Sequence, residues 1–250
     1  MSQAARSRRA RVMAELLDQK QVSVSELATR LVVSEATVRR DLKALAEEHQ
    51  AELIHGGARL PRDADFSFQA KALRHADDKA IVGQLAAKLV RDGDQIFLDS
   101  GTTCFAMAQH LGERRDLGVI CNSTRLAAEL RHTEVLIIGG RYRPERLDAV
   151  GPMAVSALSD LRGYVCFIGA DGIGPEAGIS ASDAESAQLH RTAVANARET
   201  VLLVDHSKFQ TPSLFRIVGW ERIAKVVTDR IPDASWSAFF AERGIPLLHP

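Results

Sequence analysis

From Lys79 onward the chain repeats one pattern, and that pattern leaves few folds open. Short apolar runs of strand length alternate with stretches that are apolar at helical spacing. Residues 80–90, 105–111, 126–130, 153–161 and 183–197 read as helices. Residues 96–99, 117–122, 135–138, 165–168, 201–204 and 223–228 read as strands. Strands that alternate with helices predict an α/β domain built on a mostly parallel sheet with both faces covered. An apolar content of 46% is enough to fill such a core. No apolar run reaches 18 residues and no signal-peptide pattern opens the chain, so a soluble, cytoplasmic protein without a membrane partner is expected. Cys104, Cys121 and Cys166 are odd in number and widely spaced, which fits reduced thiols.

The strands end alike. Asp99-Ser100-Gly101-Thr102-Thr103, Asn122-Ser123, Gly139-Gly140, Asp171-Gly172 and Asp205-His206-Ser207-Lys208 each follow the carboxyl end of an apolar run. In open parallel sheets that edge binds ligands. A lone Gly-Gly reads as a turn and a lone Asn-Ser as a cap; five such tips on one rim point to a ligand. The stretch 99–103 joins a strand to a helix, which aims backbone N–H groups and the positive helix end at one spot. Its natural guest is a phosphate or carboxylate. The competing reading is that Ser100 or Thr102 merely caps the helix. On the ligand reading Ser100, Gly101, Thr102 and Thr103 hold a phosphate and Lys208 supplies countercharge. Gly139 and Gly140 leave room for close approach. Asn122 and Asp171 suit the hydroxyls of a polyol, with Ser123 and Gly172 completing the rim. Asp99 belongs to the same candidate effector site, where it would repel an anion unless it faces inward to hold the loop. Arg74 and Lys79 read as cations on a solvated helix face.

The front of the chain differs in charge. Residues 1–62 hold 11 Lys+Arg against 8 Asp+Glu, and the remainder 21 against 24. Arg6, Arg8, Arg9 and Arg11 come before any acid, which points to a polyanion partner for this end. Val12, Leu16 and Leu17 mark a first helix. Ser23-Val24-Ser25-Glu26 fits a capping box that starts a second. After Val32-Val33, Ser34 caps a third helix, with Val38, Leu42 and Leu45 on its inner face. Two helices around so brief a turn make a helix-turn-helix. On a helical wheel Ala36, Arg40, Lys43 and Glu47 then point outward, with Thr37 and Arg39 on the shoulders. Ser34, Glu35, Ala36 and Thr37 form the amino end that reads bases in this motif, and Arg39, Arg40 and Lys43 reach guanine edges or phosphates. Leu53 to Ala58 reads as a short strand and glycine turn, a wing whose His55 and Gly56 lie beside the DNA backbone.

The segment from Leu31 to Leu42, followed by His55-Gly56-Gly57-Ala58, resembles the amino-terminal domain of the DeoR family of bacterial transcriptional regulators. The likeness continues into the second half. It implies a winged helix-turn-helix domain over residues 1–58, a linker over 59–78 anchored by Phe66 and Phe68, and a sugar-phosphate-sensing α/β domain over 79–250. It further implies a repressor whose partners are a double-stranded DNA operator and a phosphorylated sugar or polyol, acting as a homo-oligomer. Two positions depart from the family pattern. Leu53 and Ile54 stand where the wing commonly carries a basic residue, and His190 stands where many relatives have lysine, so His190 falls outside the expected site. The implied sensor fold is related to ribose-5-phosphate isomerase, which makes a sugar-phosphate isomerase the alternative. Isomerisation needs a positioned carboxylate base and an acid or cation to hold the enediolate. The loop Gly169 to Gly174 holds only Asp171, so no catalytic residue is assigned. Metal-ligand spacings are absent, and no cofactor or metal is expected.

Overall fold

The computed structural model describes residues 3–48, 50–60, 68–209 and 211–250, which divide into two units with the break between Ala76 and Asp77. The first unit holds α1 (Gln3–Gln19), β1 (Gln21–Ser23), α2 (Val24–Leu31), α3 (Glu35–Glu47), β2 (Glu52–Ile54), β3 (Gly57–Arg59) and α4 (Phe68–Leu73). Ser23 and Ser34 accept hydrogen bonds from the backbone N–H groups of Glu26 and Thr37, so both expected caps are formed. Val38, Leu42 and Leu45 of α3 pack against Val12 and Leu16 of α1 and Leu27 and Leu31 of α2. β1 and β2 flank β3 in a small antiparallel sheet, and His55 and Gly56 make the two-residue turn of its hairpin. The unit is a winged helix-turn-helix.

The stretch expected to link the units holds structure of its own. Arg59 ends β3, and Ala70 of α4 is buried in the first unit's core. Residues 61–67, Phe66 among them, lie outside the described residues, and Phe68 opens α4.

The second unit begins with α5 (Ala76–Ala87), β4 (Gln95–Leu98), α6 (Thr102–Ala108), β5 (Gly118–Cys121), α7 (Thr124–Glu129) and β6 (Glu134–Ile137). A hairpin follows, β7 (Arg141–Arg143) and β8 (Asp148–Val150), then α8 (Pro152–Ser159), β9 (Val165–Ile168), β10 (Gly172–Gly174), β11 (Gly178–Ala181) and α9 (Ala184–Asn196). The chain closes with β12 (Glu199–Leu203), β13 (Phe215–Val218), β14 (Lys225–Val227), α10 (Ala234–Glu242) and β15 (Leu247–Leu248). Seven strands form one parallel sheet in the order β15-β14-β12-β9-β4-β5-β6. The chain runs outward from β4 to β6, then returns to lay β9 on the other side of β4. The gap between the tips of β4 and β9 is therefore the topological switch point, where such sheets bind ligands.

Burial on both faces explains why these strands read as unbroken apolar runs. Phe97, Cys166, Ile168 and Leu202 face one core with α8, α9 and α10, while Ile96, Leu98, Phe167 and Leu203 face another with α5, α6 and α7. A smaller antiparallel sheet, β10-β11-β13, and the β7–β8 hairpin stand apart from the main sheet. All three cysteines are buried and unpaired. Among the described residues no helix is long and apolar enough to cross a membrane.

The turn between α2 and α3 carries a local cost. Val32 closes α2 in the left-handed region at φ 55°, a conformation that β-branched residues rarely adopt, and its side chain is 88% exposed. Glycine holds that conformation without steric penalty and would give up little packing here. We expect Val32→Gly to raise the unfolding free energy by about 0.5–1 kcal/mol, measured by urea denaturation. A lower midpoint would show that Val32 contributes packing the exposed position does not suggest.

Candidate nucleic-acid interface and anion-binding rim

The outer face of α3 is cationic and open. Ala36, Arg39, Arg40, Lys43 and Glu47 are exposed, as the wheel predicts, and Thr37 is half-buried with its hydroxyl 2.9 Å from that of Ser34. Arg39 pairs with Glu35 one turn back at 2.7 Å. Among the described residues Arg40 and Lys43 make no ion pair, so their charge is available to a polyanion. The arginines at the front are employed differently from the expectation. Arg8 grips Asp41 of α3 with two nitrogens, and Arg9 bonds Glu48 at 3.0 Å. They fasten α1 to α3 and hold the reading helix in place. Asp41 is a buried acid inside that helix, which the apolar wheel does not reveal. At the wing tip His55 and Gly56 are exposed, and the Gly56 carbonyl accepts from Val24 N–H at 2.8 Å, tying the hairpin to the start of α2.

At the carboxyl edge of the main sheet the expected tips stand side by side, because strands β6, β5, β4, β9 and β12 are neighbours in that order. In the turn after β4 the capping reading does not hold. Gly101 is the N-cap of α6 and has no side-chain bond to it, so neither Ser100 nor Thr102 caps the helix. The first-turn N–H groups of α6 face no side-chain acceptor from the cap. Asp99 turns inward. Its backbone N–H donates to the Phe167 carbonyl at 3.1 Å, and one carboxylate oxygen accepts from Gly169 N–H at 3.2 Å. A β-carbon at position 101 would lie 2.9 Å from that same oxygen, so only glycine fits beside it. Asp99 thus clamps the tips of β4 and β9 together, facing inward as its place in the loop required.

The remaining rim residues divide between pinning the scaffold and lining it. Asn122 is 1% exposed; its Nδ2 donates to the Ala149 carbonyl at 2.8 Å, and its Oδ1 has no partner among the described residues. Ser123 caps α7, as a lone Asn-Ser would suggest. Gly139 is exposed. Gly140 and Gly172 let a second backbone pass, since a β-carbon there would meet the carbonyl oxygens of Val150 and Thr211. Asp171 accepts from both the N–H and the hydroxyl of Ser182 at 2.8 Å. Lys208 is half-buried on a short turn that begins at the tip of β12, where Asp205 accepts from Ser207 N–H and Asp229 from His206 N–H. Lys79 contradicts its expected solvated face: it is 4% exposed on α5. Arg74 lies 3.6 Å from Asp18 within the first unit.

Several polar residues that hold the rim escape the sequence reading. The hydroxyl of Ser100 donates to Asp148 of β8 at 3.1 Å. Arg143 of β7 binds Asp148 with two nitrogens, 2.8 and 2.7 Å, and reaches Asp183 and Ser186 at the start of α9. Arg146 adds a second contact to Asp183 at 2.8 Å. One turn further along α9, His190 is buried and its Nε2 lies 2.7 Å from Asp99. The spacing 183, 186, 190 puts these three on one helical face, a signal the sequence does contain.

This network makes part of the fold acid-sensitive. Burial alone pushes the Asp183 carboxyl up, but the Ser186 N–H and the guanidinium groups of Arg146 and Arg143 outweigh it and hold the group at about 2, against 3.8 ordinarily. The stabilisation is complete above pH 3.8 and is lost as pH falls through 2. Asp183→Asn is expected to flatten the loss of unfolding free energy between about pH 4 and 2 relative to wild type, in denaturant titrations at each pH. Identical slopes would remove Asp183 from the acid response.

Comparison with known proteins bears on both units. Residues 8–64 match the DeoR-like helix-turn-helix domain and residues 74–230 match the DeoR C terminal sensor domain. The HTH-type transcriptional repressor GlcR of Bacillus subtilis is 31% identical over 232 residues, 91% of this chain and 89% of its own. The HTH-type transcriptional repressor CsqR of Escherichia coli is 29% identical over 233 residues, covering 92% and 89%. A solved D-ribose-5-phosphate isomerase in complex with phospho-erythronic acid is 18% identical over 54% of each chain at a TM-score of 0.41, too loose a likeness to carry function. The chain belongs to the DeoR family of DNA-binding transcriptional regulators.

Proposed function

We propose that this regulator represses a carbohydrate or polyol operon in the cytoplasm, and that a phosphorylated sugar or polyol bound at the sheet's rim sets its affinity for the operator. The observation that carries the second half is the turn 99–103. It sits at the switch point of a parallel sheet, its carboxylate is turned away, and the helix behind it starts without a side-chain cap. Ser100, Thr102 and Thr103 add hydroxyls beside those N–H groups, and Lys208 on the β12 tip supplies the cation. The rim of Asn122, Asp171, Gly139 and Gly172 suits the hydroxylated remainder of such a molecule. The relatives GlcR and CsqR are named as transcriptional repressors, and two others, IolR and GolR, as transcriptional regulators.

DNA is read by α3, with Arg40 and Lys43 on its open face, Ser34 to Thr37 at its amino end, and His55 and Gly56 touching the flanking backbone. Two copies reading paired half-sites make a homo-oligomer the working form. An effector alters operator affinity only by binding two arrangements of the protein unequally. The loop Gly169 to Gly174 holds Asp171 as its single acid, and the nearby Asp99, Asp148 and Asp183 are engaged by His190, Arg143 and Arg146, which supports a sensor in preference to an isomerase.

Arg40→Ala should cost about 1–3 kcal/mol of operator affinity and lower the slope of log affinity against log salt, measured by fluorescence anisotropy on an operator duplex selected in vitro. Unchanged affinity and slope would take Arg40 out of the interface. In a thermal-shift panel of phosphorylated sugars and polyols, at least one member should raise the melting point, and Lys208→Ala should reduce that rise. A panel without any shift would argue against the rim as an anion site.

A further inference from the structure

Beside the turn after β4, two buried polar atoms have no partner among the described residues. One is His190 Nδ1 and the other is Asn122 Oδ1, on side chains 7% and 1% exposed. A buried polar group without a partner costs free energy comparable to a lost hydrogen bond, so such groups are rare in folded chains. The other polar atoms of the same side chains are satisfied: His190 Nε2 by Asp99, and Asn122 Nδ2 by the Ala149 carbonyl. Each residue is therefore held in one orientation while its second polar atom stays unsatisfied among the described residues. His190 meets the switch point through Asp99, and Asn122 lies one strand away at the same carboxyl edge. Asp99 and Asn122 follow the neighbouring strands β4 and β5, and Ser100 comes directly after the residue that His190 grips. The face of α9 that carries His190 is fixed there by Arg143, which holds Ser186 one turn earlier and also holds Asp148, the acceptor for Ser100.

We infer that His190 is a specificity-determining contact for the effector, donating from Nδ1–H to a hydroxyl oxygen of the carbon chain next to the phosphate, while Asn122 Oδ1 accepts from a hydroxyl of the same chain. This rests on the reading of the rim as a phosphorylated sugar or polyol site. An orphan donor and an orphan acceptor together match hydroxyl groups, which serve as both, and do not match a bare phosphate, which offers acceptors. Asp99 acts on the effector through His190, as a positioning residue.

The charge state follows from the surroundings. Burial by itself lowers the imidazole's proton affinity, but Asp99 in contact, with Asp183 of the same helix and Asp171 of the β9 tip, raises it above the ordinary 6.5. Asp183 is also occupied by Arg143 and Arg146, which leaves Asp99 as the main counter-ion. When His190 loses its proton, Nε2 keeps a hydrogen for Asp99 and Nδ1 turns from donor to acceptor. The contact to the effector then loses its charge-assisted donor, so affinity falls as pH rises through the His190 transition.

The test is calorimetric titration of the full chain, at about pH 6 and pH 8.5, with four probes: inorganic phosphate, glycerol 3-phosphate, ribose 5-phosphate and fructose 6-phosphate. For the tightest sugar or polyol phosphate, His190→Gln should weaken binding roughly tenfold at the lower pH. The same variant should lose most of the pH dependence seen in wild type; the phosphate's own titration is common to both proteins. Inorganic phosphate should change by less than about twofold. His190→Lys, which keeps a cation across this range, should fold and should restore the affinity at pH 8.5. Wild-type affinity and pH profile in His190→Gln would overturn the inference and leave the rim intact. An equal loss for inorganic phosphate would also overturn it, by reducing His190 to a structural prop. If wild type binds none of the four probes, the reading of the rim fails, and this inference fails with it.

Discussion

One carboxylate organises the sensor unit. Asp99 leaves the end of β4, turns into the protein, and takes the Gly169 N–H from the end of β9 and the imidazole of His190 from α9. Three elements distant in sequence meet on two oxygens. The pair is buried on both sides, so its attraction is little screened, and either group without the other would be an uncompensated charge in the core. The fixed position of the next residues depends on it. Because Asp99 is drawn inward, the chain turns tightly over Gly101 before α6 begins, and the Ser100 hydroxyl reaches Asp148.

A second layer supports the first. Asp148, Arg143, Asp183 and Arg146 form a chain of ion pairs that ties the β7–β8 hairpin to the start of α9 and touches Ser100. Buried ion pairs of this kind contribute little net stability compared with an apolar core, but breaking one is costly, so they favour one arrangement over others. The same economy appears in the DNA-binding unit, where Arg8 and Arg9 grip Asp41 and Glu48 and set the pose of α3. In both units buried or half-buried ion pairs fix the position of a helix against its neighbours.

Much of the architecture was legible because burial on two faces writes long apolar runs, and caps write serines. The strand β9 and the serines at 23 and 34 fall where the pattern puts them. The β7–β8 hairpin and the β10-β11-β13 sheet were not legible, since strands of three or four residues such as Gly172-Ile173-Gly174 carry no usable period. Site residues divided in the same way. The rim could be read from where polar tips follow strands, a matter of local order. The roles of His190 and Arg143 could not: the spacing 183, 186, 190 marks one helical face, but the partners that give it meaning lie 91 residues from His190 and 40 and 43 from Arg143. Lys79 reads as surface on charge alone, yet α5 buries it.

The most direct measurement sets operator affinity against matched pairs of sugars and their phosphates. With full-length protein and an operator duplex at fixed salt, the account predicts that at least one phosphorylated sugar or polyol shifts the dissociation constant by roughly tenfold or more, while its unphosphorylated twin shifts nothing. Equal effects of a sugar and its phosphate, or no effect of any phosphate, would contradict an anion-reading rim that governs the DNA-reading helix.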